Sequence, residues 1–163
     1  MRIPYRKIIT SMSEEQLRKH LEPWFGDKDK GQSFIGFGVG PGWSDIILDL
    51  HTKLIKENSE YYIAQVKEKF GTLRYYVGEM TNDGQIFIAQ AENQSSVTCE
   101  ECGRPGKLRE NGWIRTLCDY DQKISRINAW IWVNIKRRPY MIYWKIRFAY
   151  SRWARKERIG NEF

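Results

Sequence analysis

An α+β fold is what this sequence predicts: a small antiparallel sheet with helices on one face, a metal-binding hairpin module and a helical extension. Three observations lead there. Apolar residues Ile46, Ile47, Leu50 and Leu54 recur at helical spacing. Two aromatic and β-branched runs, Tyr61 to Lys67 and Thr72 to Val77, flank Glu-Lys-Phe-Gly, a hairpin signal. All three cysteines, Cys99, Cys102 and Cys118, bracket a second, shorter hairpin.

Taken in order, the first element is a short helix over 13–22. Ser13 caps it, Gln16 completes a capping box and Pro23 stops it. A loop of Gly, Asp and Lys leads to a glycine-punctuated strand over 33–39, and Pro41-Gly42 makes a turn. The helix carrying Ile46 to Leu54 runs from Trp43 to about Lys56, and the 61–77 hairpin follows. Asn82 or Asp83 caps a further helix through about Asn93. Strand and helix runs mixed in this way suggest helices layered on one sheet face.

The run Cys99-Glu-Glu-Cys102-Gly lets two thiolates converge on one ion, because the glycine takes up backbone geometry that other residues resist. Lys107 to Cys118 reads as two short strands around an Asn111-Gly112 turn. Asp119 onwards starts a helix behind acidic caps. Knuckle, hairpin and helix N-terminus together make a treble-clef layout for zinc. A closed zinc site takes four ligands, and the helical position that pairs with Cys118 is three residues on, at Asp121. Cys99, Cys102, Cys118 and Asp121 are therefore the expected ligands. His20, His51 or water are the alternatives for the fourth, and a metal-free remnant of buried thiols is the alternative for the whole site. A disulfide framework fits poorly, since three cysteines leave one over and the N-terminus lacks the apolar core of a secretory signal. No apolar run approaches the ~20 residues of a membrane span. The expected compartment is the cytoplasm.

Net charge is +7, and it is unevenly placed. Between Lys136 and Arg158 nine Lys and Arg face one acid, a local +8 that leaves the remainder at −1. Residues 122–138 continue as a helix with Ile124, Ile127, Ile131 and Ile135 on one side, and Pro139 interrupts it. A last helix to about Arg158 sets Ile142, Tyr143, Ile146, Ala149, Tyr150 and Trp153 in one arc, beside a stripe of Lys145, Arg152 and Lys156. The expected organisation is an α+β body over 1–98, a zinc module over 99–121 and a basic aromatic extension over 122–163.

Gln65-Val-Lys-Glu-Lys-Phe-Gly-Thr-Leu-Arg-Tyr-Tyr-Val77, the Cys99 to Gly106 turn and Gly112-Trp-Ile-Arg-Thr-Leu-Cys-Asp119 occur in that order. The set resembles a family of small proteins encoded by bacteriophages and prophages, over about residues 35 to 121. Gly40-Pro-Gly-Trp-Ser-Asp-Ile-Ile-Leu48 is similar to that family's Gly-Asp-Gly-Trp region. The family pattern places a His where this chain has Asp121. The resemblance implies phage origin and a zinc module, not a reaction.

Candidate sites for a partner follow from charge and glycine spacing. Gly38, Gly40 and Gly42 lead into a helix and could cradle an anion with their N–H groups, with Lys67 and Arg74 as countercharge. The Lys145, Arg152, Lys156 stripe interleaved with Trp and Tyr suits nucleic acid, through phosphate neutralisation and stacking. It also suits an anionic membrane surface, or a helix packed on the body or a second copy. Lys67, Glu68 and Lys69 with Asp45 or Asp49 raise a metal-dependent nuclease as a weaker alternative. The resulting expectation is a non-enzymatic phage-type binding protein in the host cytoplasm. Its partner is a nucleic acid or nucleotide signal, in the setting of counter-defence. The rival is an inhibitor that grips a host protein through the aromatic C-terminal helix.

Overall fold

Ser13 Oγ accepts the Gln16 N–H at 3.3 Å while Gln16 Oε1 accepts the Ser13 N–H at 2.9 Å, so the capping box that starts α1 (Glu14–Leu21) is complete. This is seen in a computed structural model that describes residues 12–110, 112–137 and 141–142. Leu17 and Leu21 on α1 are fully buried. A 3₁₀ turn at Glu22–Trp24, with Pro23 inside it, ends the helix.

Strand β1 (Gly36–Gly38) pairs with β2 (Ile63–Lys69) in parallel, and β2 pairs with β3 (Thr72–Val77) antiparallel, in the order β1-β2-β3. The sheet is therefore mixed, not the antiparallel one expected. The connection from β1 to β2 contains α2 (Ser44–Glu57), and a helical crossover returns the chain parallel. Strand β1 is also shorter than the 33–39 run, and Pro41–Trp43 forms a 3₁₀ turn that delays α2 to Ser44. Helix α3 (Asn82–Ser95) starts behind Thr81, whose Oγ1 accepts the Gly84 N–H at 3.1 Å, rather than behind Asn82 or Asp83.

One sheet face supplies Ile63, Val66, Leu73 and Tyr75 to a core shared with Trp43, Ile47, Leu50 and Leu54. The opposite face carries Gln65, Lys67, Arg74 and Tyr76, all half-buried or exposed. Helix α3 covers the outer edge of β3: the Leu73 N–H donates to Ser95 Oγ at 2.8 Å and the Tyr75 N–H to Glu92 Oε1 at 3.2 Å. Those bonds leave the edge a poor template for another strand.

After α3 come a two-stranded antiparallel ribbon, β4 (Lys107–Arg109) and β5 (Arg115–Leu117), and helix α4 (Asp119–Ile131). The chain divides into two compact units, Met1–Gln122 and Lys123–Phe163, so the cysteine module belongs to the same unit as the sheet. In the second unit α4 runs on into a π-helical segment, Trp132–Arg137, and Ile127, Trp130 and Trp132 are exposed. Among the described residues no helix is long and apolar enough to cross a membrane.

Candidate metal centre

The Cys99–Cys102 turn is closed by backbone bonds before any metal is considered. The Cys99 N–H donates to Arg104 O at 2.7 Å, and the Gly103 N–H to Cys99 O at 2.9 Å. Gly103 has φ +72, the left-handed conformation the sequence assigns to it. Burial disfavours the Cys99 thiolate, and the backbone amides of Cys118, Cys102 and Glu101 offset part of that larger effect. Strand β5 then delivers Cys118, and the first turn of α4 delivers Asp121, whose N–H donates to Cys118 Sγ at 3.4 Å. Asn111, half of the turn expected between the strands, lies outside the described residues, while Gly112 has φ +107.

Cys99, Cys102, Cys118 and Asp121 converge. Their ligand atoms lie within 4.8 Å of one another and all four residues are buried. Cys102 Sγ and Cys118 Sγ are 3.8 Å apart, and Asp121 Oδ2 is 3.3 Å from Cys99 Sγ and 3.2 Å from Cys118 Sγ. A tetrahedral zinc with Zn–S of about 2.3 Å and Zn–O of about 2.1 Å separates two sulfurs by about 3.8 Å, and sulfur from oxygen by about 3.6 Å. The Cys102–Cys118 separation matches such an ion, and the two separations from Asp121 match it after a few tenths of an ångström of outward movement by the carboxylate. The donor set, three soft sulfurs and one oxygen, favours zinc among common divalent ions. Four protein ligands around one ion would leave no open position for water, the pattern of a structural site.

Burial pushes the Cys99 and Cys118 thiols up from their ordinary range, so without an ion they stay protonated. Ionised, the cluster would carry four negative charges, halved by a divalent metal. Arg104 offsets part of the remainder, with Nε 3.4 Å from Cys102 Sγ and Nη2 3.8 Å from Cys118 Sγ. Its guanidinium lies over the Tyr120 ring. Arg115 on β5 pairs with both residues between the first two cysteines, Glu100 at 2.9 Å and Glu101 at 2.5 Å. Sequence reasoning did not single out either arginine. The available signal was a cation two residues past Cys102 and another three before Cys118.

The module is seated on the body through the glycine-rich turn. The Gly42 N–H donates to Glu100 O at 2.7 Å and Trp43 Nε1 to Thr98 O at 2.8 Å. A Cβ on Gly42 would lie 2.1 Å from Cys99 O, and one on Gly40 2.3 Å from Glu100 O. Gly40 and Gly42 thus provide close backbone contact for the knuckle, and the Gly42 N–H is aimed at a carbonyl instead of an anion. This corrects the cradle expected of them. Gly38 is different: it stands in register with Lys67, and Lys67 with Arg74, in one row across all three strands. A Cβ on Gly38 would meet nothing within 4 Å.

The remaining candidates divide in the same way. His51 is buried in the body, bonded through Nδ1 to the Tyr61 hydroxyl and packed edge-on against Trp24. His20 lies beside it, with ring centroids 6.1 Å apart. Asp49 pairs with Lys53 at 2.7 Å, and Glu68 Oε1 accepts the Gly71 N–H at 2.6 Å. Lys145, Arg152 and Lys156 lie outside the described residues. Among the described residues the first unit has hollows not anticipated from sequence: one of about 760 Å³ among Trp24, Phe34, Tyr61 and Tyr62, one of about 340 Å³ between Phe70 and Trp113, and one of about 310 Å³ lined by Gly42, Asp45, Asp49 and Thr98. Comparison with protein-family models, curated proteins and solved structures gives no match to this chain.

Proposed function

We propose that this chain is a non-enzymatic binding protein of phage type that engages a single-stranded nucleic acid through the sheet face that carries Lys67, Arg74 and Tyr76. The zinc held by Cys99, Cys102, Cys118 and Asp121 fixes the fold. The observation that carries this reading is the row Gly38–Lys67–Arg74, in which two cations and a residue without a side chain share one surface. Tyr76 stands on the same face, exposed, with Lys67 Nζ 5.3 Å from its ring centre. Cations for phosphates beside an open ring for a base are the ingredients of single-strand binding. Glu92, 3.6 Å from Arg74, moderates the charge at one end of the row. Capture of a host nucleic-acid signal in counter-defence is the biological setting we propose for it.

The test is binding of a labelled oligothymidylate to the zinc-loaded chain across a salt series. Each phosphate contact removed should flatten the log–log salt dependence by about 0.7. Lys67→Gln is expected to do so and to weaken binding, and an unchanged slope would count against this face. A second reading rests on the exposed Ile127, Trp130 and Trp132 of the other unit, a surface suited to a host protein. It predicts association with a protein that is insensitive to Lys67→Gln.

A further inference from the structure

Phe70 is an aromatic residue in a position that neither local conformation nor burial explains. It and Gly71 form the two-residue loop between β2 and β3, with φ +53 and +77. Both central residues of such a turn have positive φ, which Asn, Asp and Gly accept and a bulky side chain resists. Burial does not compensate, since Phe70 is 65% exposed. A backbone outlier bearing an exposed ring is grounds for a functional hypothesis.

The ring has a counterpart. Trp113, in the turn of the metal-module ribbon, is 81% exposed. Phe70 and Trp113 line the hollow of about 340 Å³ together with Glu68, Lys69, Gly112 and Ile114. The Phe70 turn is tied to the strands of that ribbon: Thr116 Oγ1 donates to Gly71 O at 2.7 Å, and a Cβ on Gly71 would lie 2.4 Å from Leu108 Cδ1. The hollow therefore has a built frame on both sides. Lys69 Nζ sits 5.6 Å from the Phe70 ring centre, and Lys69 shares its strand face with Lys67. Glu68 is engaged by the Gly71 amide.

We infer that Phe70 and Trp113 form a clamp for one unpaired base of a single-stranded nucleic acid, with its flanking phosphates meeting Lys69 and Lys67. This rests on the nucleic-acid reading above and gives it a stacking site. Flat rings are sequence-tolerant partners because every base has a π-face. The cations running from the clamp along β2 favour a polyanion over an apolar peptide as the occupant.

The experiment compares zinc-loaded wild type with Phe70→Asn, Trp113→Ala and Lys67→Gln, using labelled oligothymidylate and an abasic oligomer of equal length. Phe70→Asn should hold or raise the thermal midpoint, since Asn accepts the turn, yet weaken oligothymidylate binding about ten- to a hundredfold. Trp113→Ala should weaken it similarly, and both should leave abasic binding nearly unchanged. Retained oligothymidylate affinity in both aromatic variants, with loss in Lys67→Gln, would overturn the clamp while leaving the charged face standing. Failure of wild type to bind either oligomer at low salt would overturn both. A lowered midpoint in Phe70→Asn would make the ring a structural support. Wild type that self-associates on a sizing column, with aromatic variants that lose this but keep oligomer binding, would make the patch a protein contact. Either outcome overturns the clamp.

Discussion

Replacing Gly42 with alanine tests whether the glycine turn is a seat for the metal module. The added Cβ would lie 2.1 Å from Cys99 O and 2.6 Å from both Glu100 O and Gly103 N, against 3.4 Å or more for ordinary contact. All three are backbone atoms of the knuckle, so no side-chain rotation relieves the overlap. The turn must retreat by about an ångström, stretching the 2.7 Å bond from Gly42 N–H to Glu100 O. Overpacking of this kind costs about 1–3 kcal/mol, and rigid neighbours put this site at the upper end. For a chain of this length, about 3 kcal/mol lowers the melting midpoint by about 6–12 °C. The retreat also moves a ligand-bearing segment, so zinc should be lost to chelator faster than from wild type. Scanning calorimetry with a colorimetric zinc-release assay reads both. Gly38→Ala is the matched control, since its Cβ meets nothing. A Gly42→Ala protein with unchanged midpoint and zinc retention would refute the seat.

Two further outcomes are expected. Cys102→Ser should abolish stoichiometric zinc by elemental analysis and raise hydrogen exchange from residue 99 to 122 while the 63–77 hairpin stays protected, because metal binding there is folding free energy; full zinc occupancy in the variant would exclude Cys102 as a ligand. Stability should also depend on His51: burial, then the neighbouring His20, lower its pKa from 6.5 to about 4. A depressed histidine means the unfolded chain binds more protons between those values, so stability is full above about pH 6.5 and declines as pH falls towards about 4, by on the order of 3 kcal/mol. His51→Gln should flatten that part of the curve, and an equal slope in the variant would exclude His51 as the group responsible.

Local signals in this chain read through to the structure, and long-range ones do not. Ser13 with Gln16 forms its capping box, the 61–77 segment makes a hairpin, and Asp121 joins the cysteines because one helical turn from Cys118 is a local geometric fact. The parallel pairing of β1 departs from the antiparallel sheet expected, although a helix placed between two strands is the usual mark of a crossover. Gly40 and Gly42 show the limit more sharply. A glycine that admits a phosphate and one that admits a carbonyl look the same in sequence. What separates them is the approach of Glu100, nearly sixty residues on, to the Gly42 amide. Thr81 as the α3 cap was a closer miss, since Thr, Asn and Asp compete for that role within three adjacent positions.

The metal site and the proposed binding surface are joined by few bonds, and those bonds explain why a closed ion could matter to a distant ring. Thr116 lies between Arg115, which grips Glu100 and Glu101, and Leu117, which precedes the ligand Cys118. Its carbonyl accepts the Glu100 N–H at 3.0 Å and its hydroxyl donates to Gly71 O at 2.7 Å. One buried residue thus fastens the knuckle on one side and the Phe70 turn on the other. Phe70 adopts a conformation its side chain disfavours, so the turn needs support from outside its own sequence. The support comes from β5, whose position depends on Cys118 staying with Cys102, and without the ion that pairing rests on weak thiol contacts. An ion held by all four ligands would therefore act on the proposed binding surface by holding a hairpin in register.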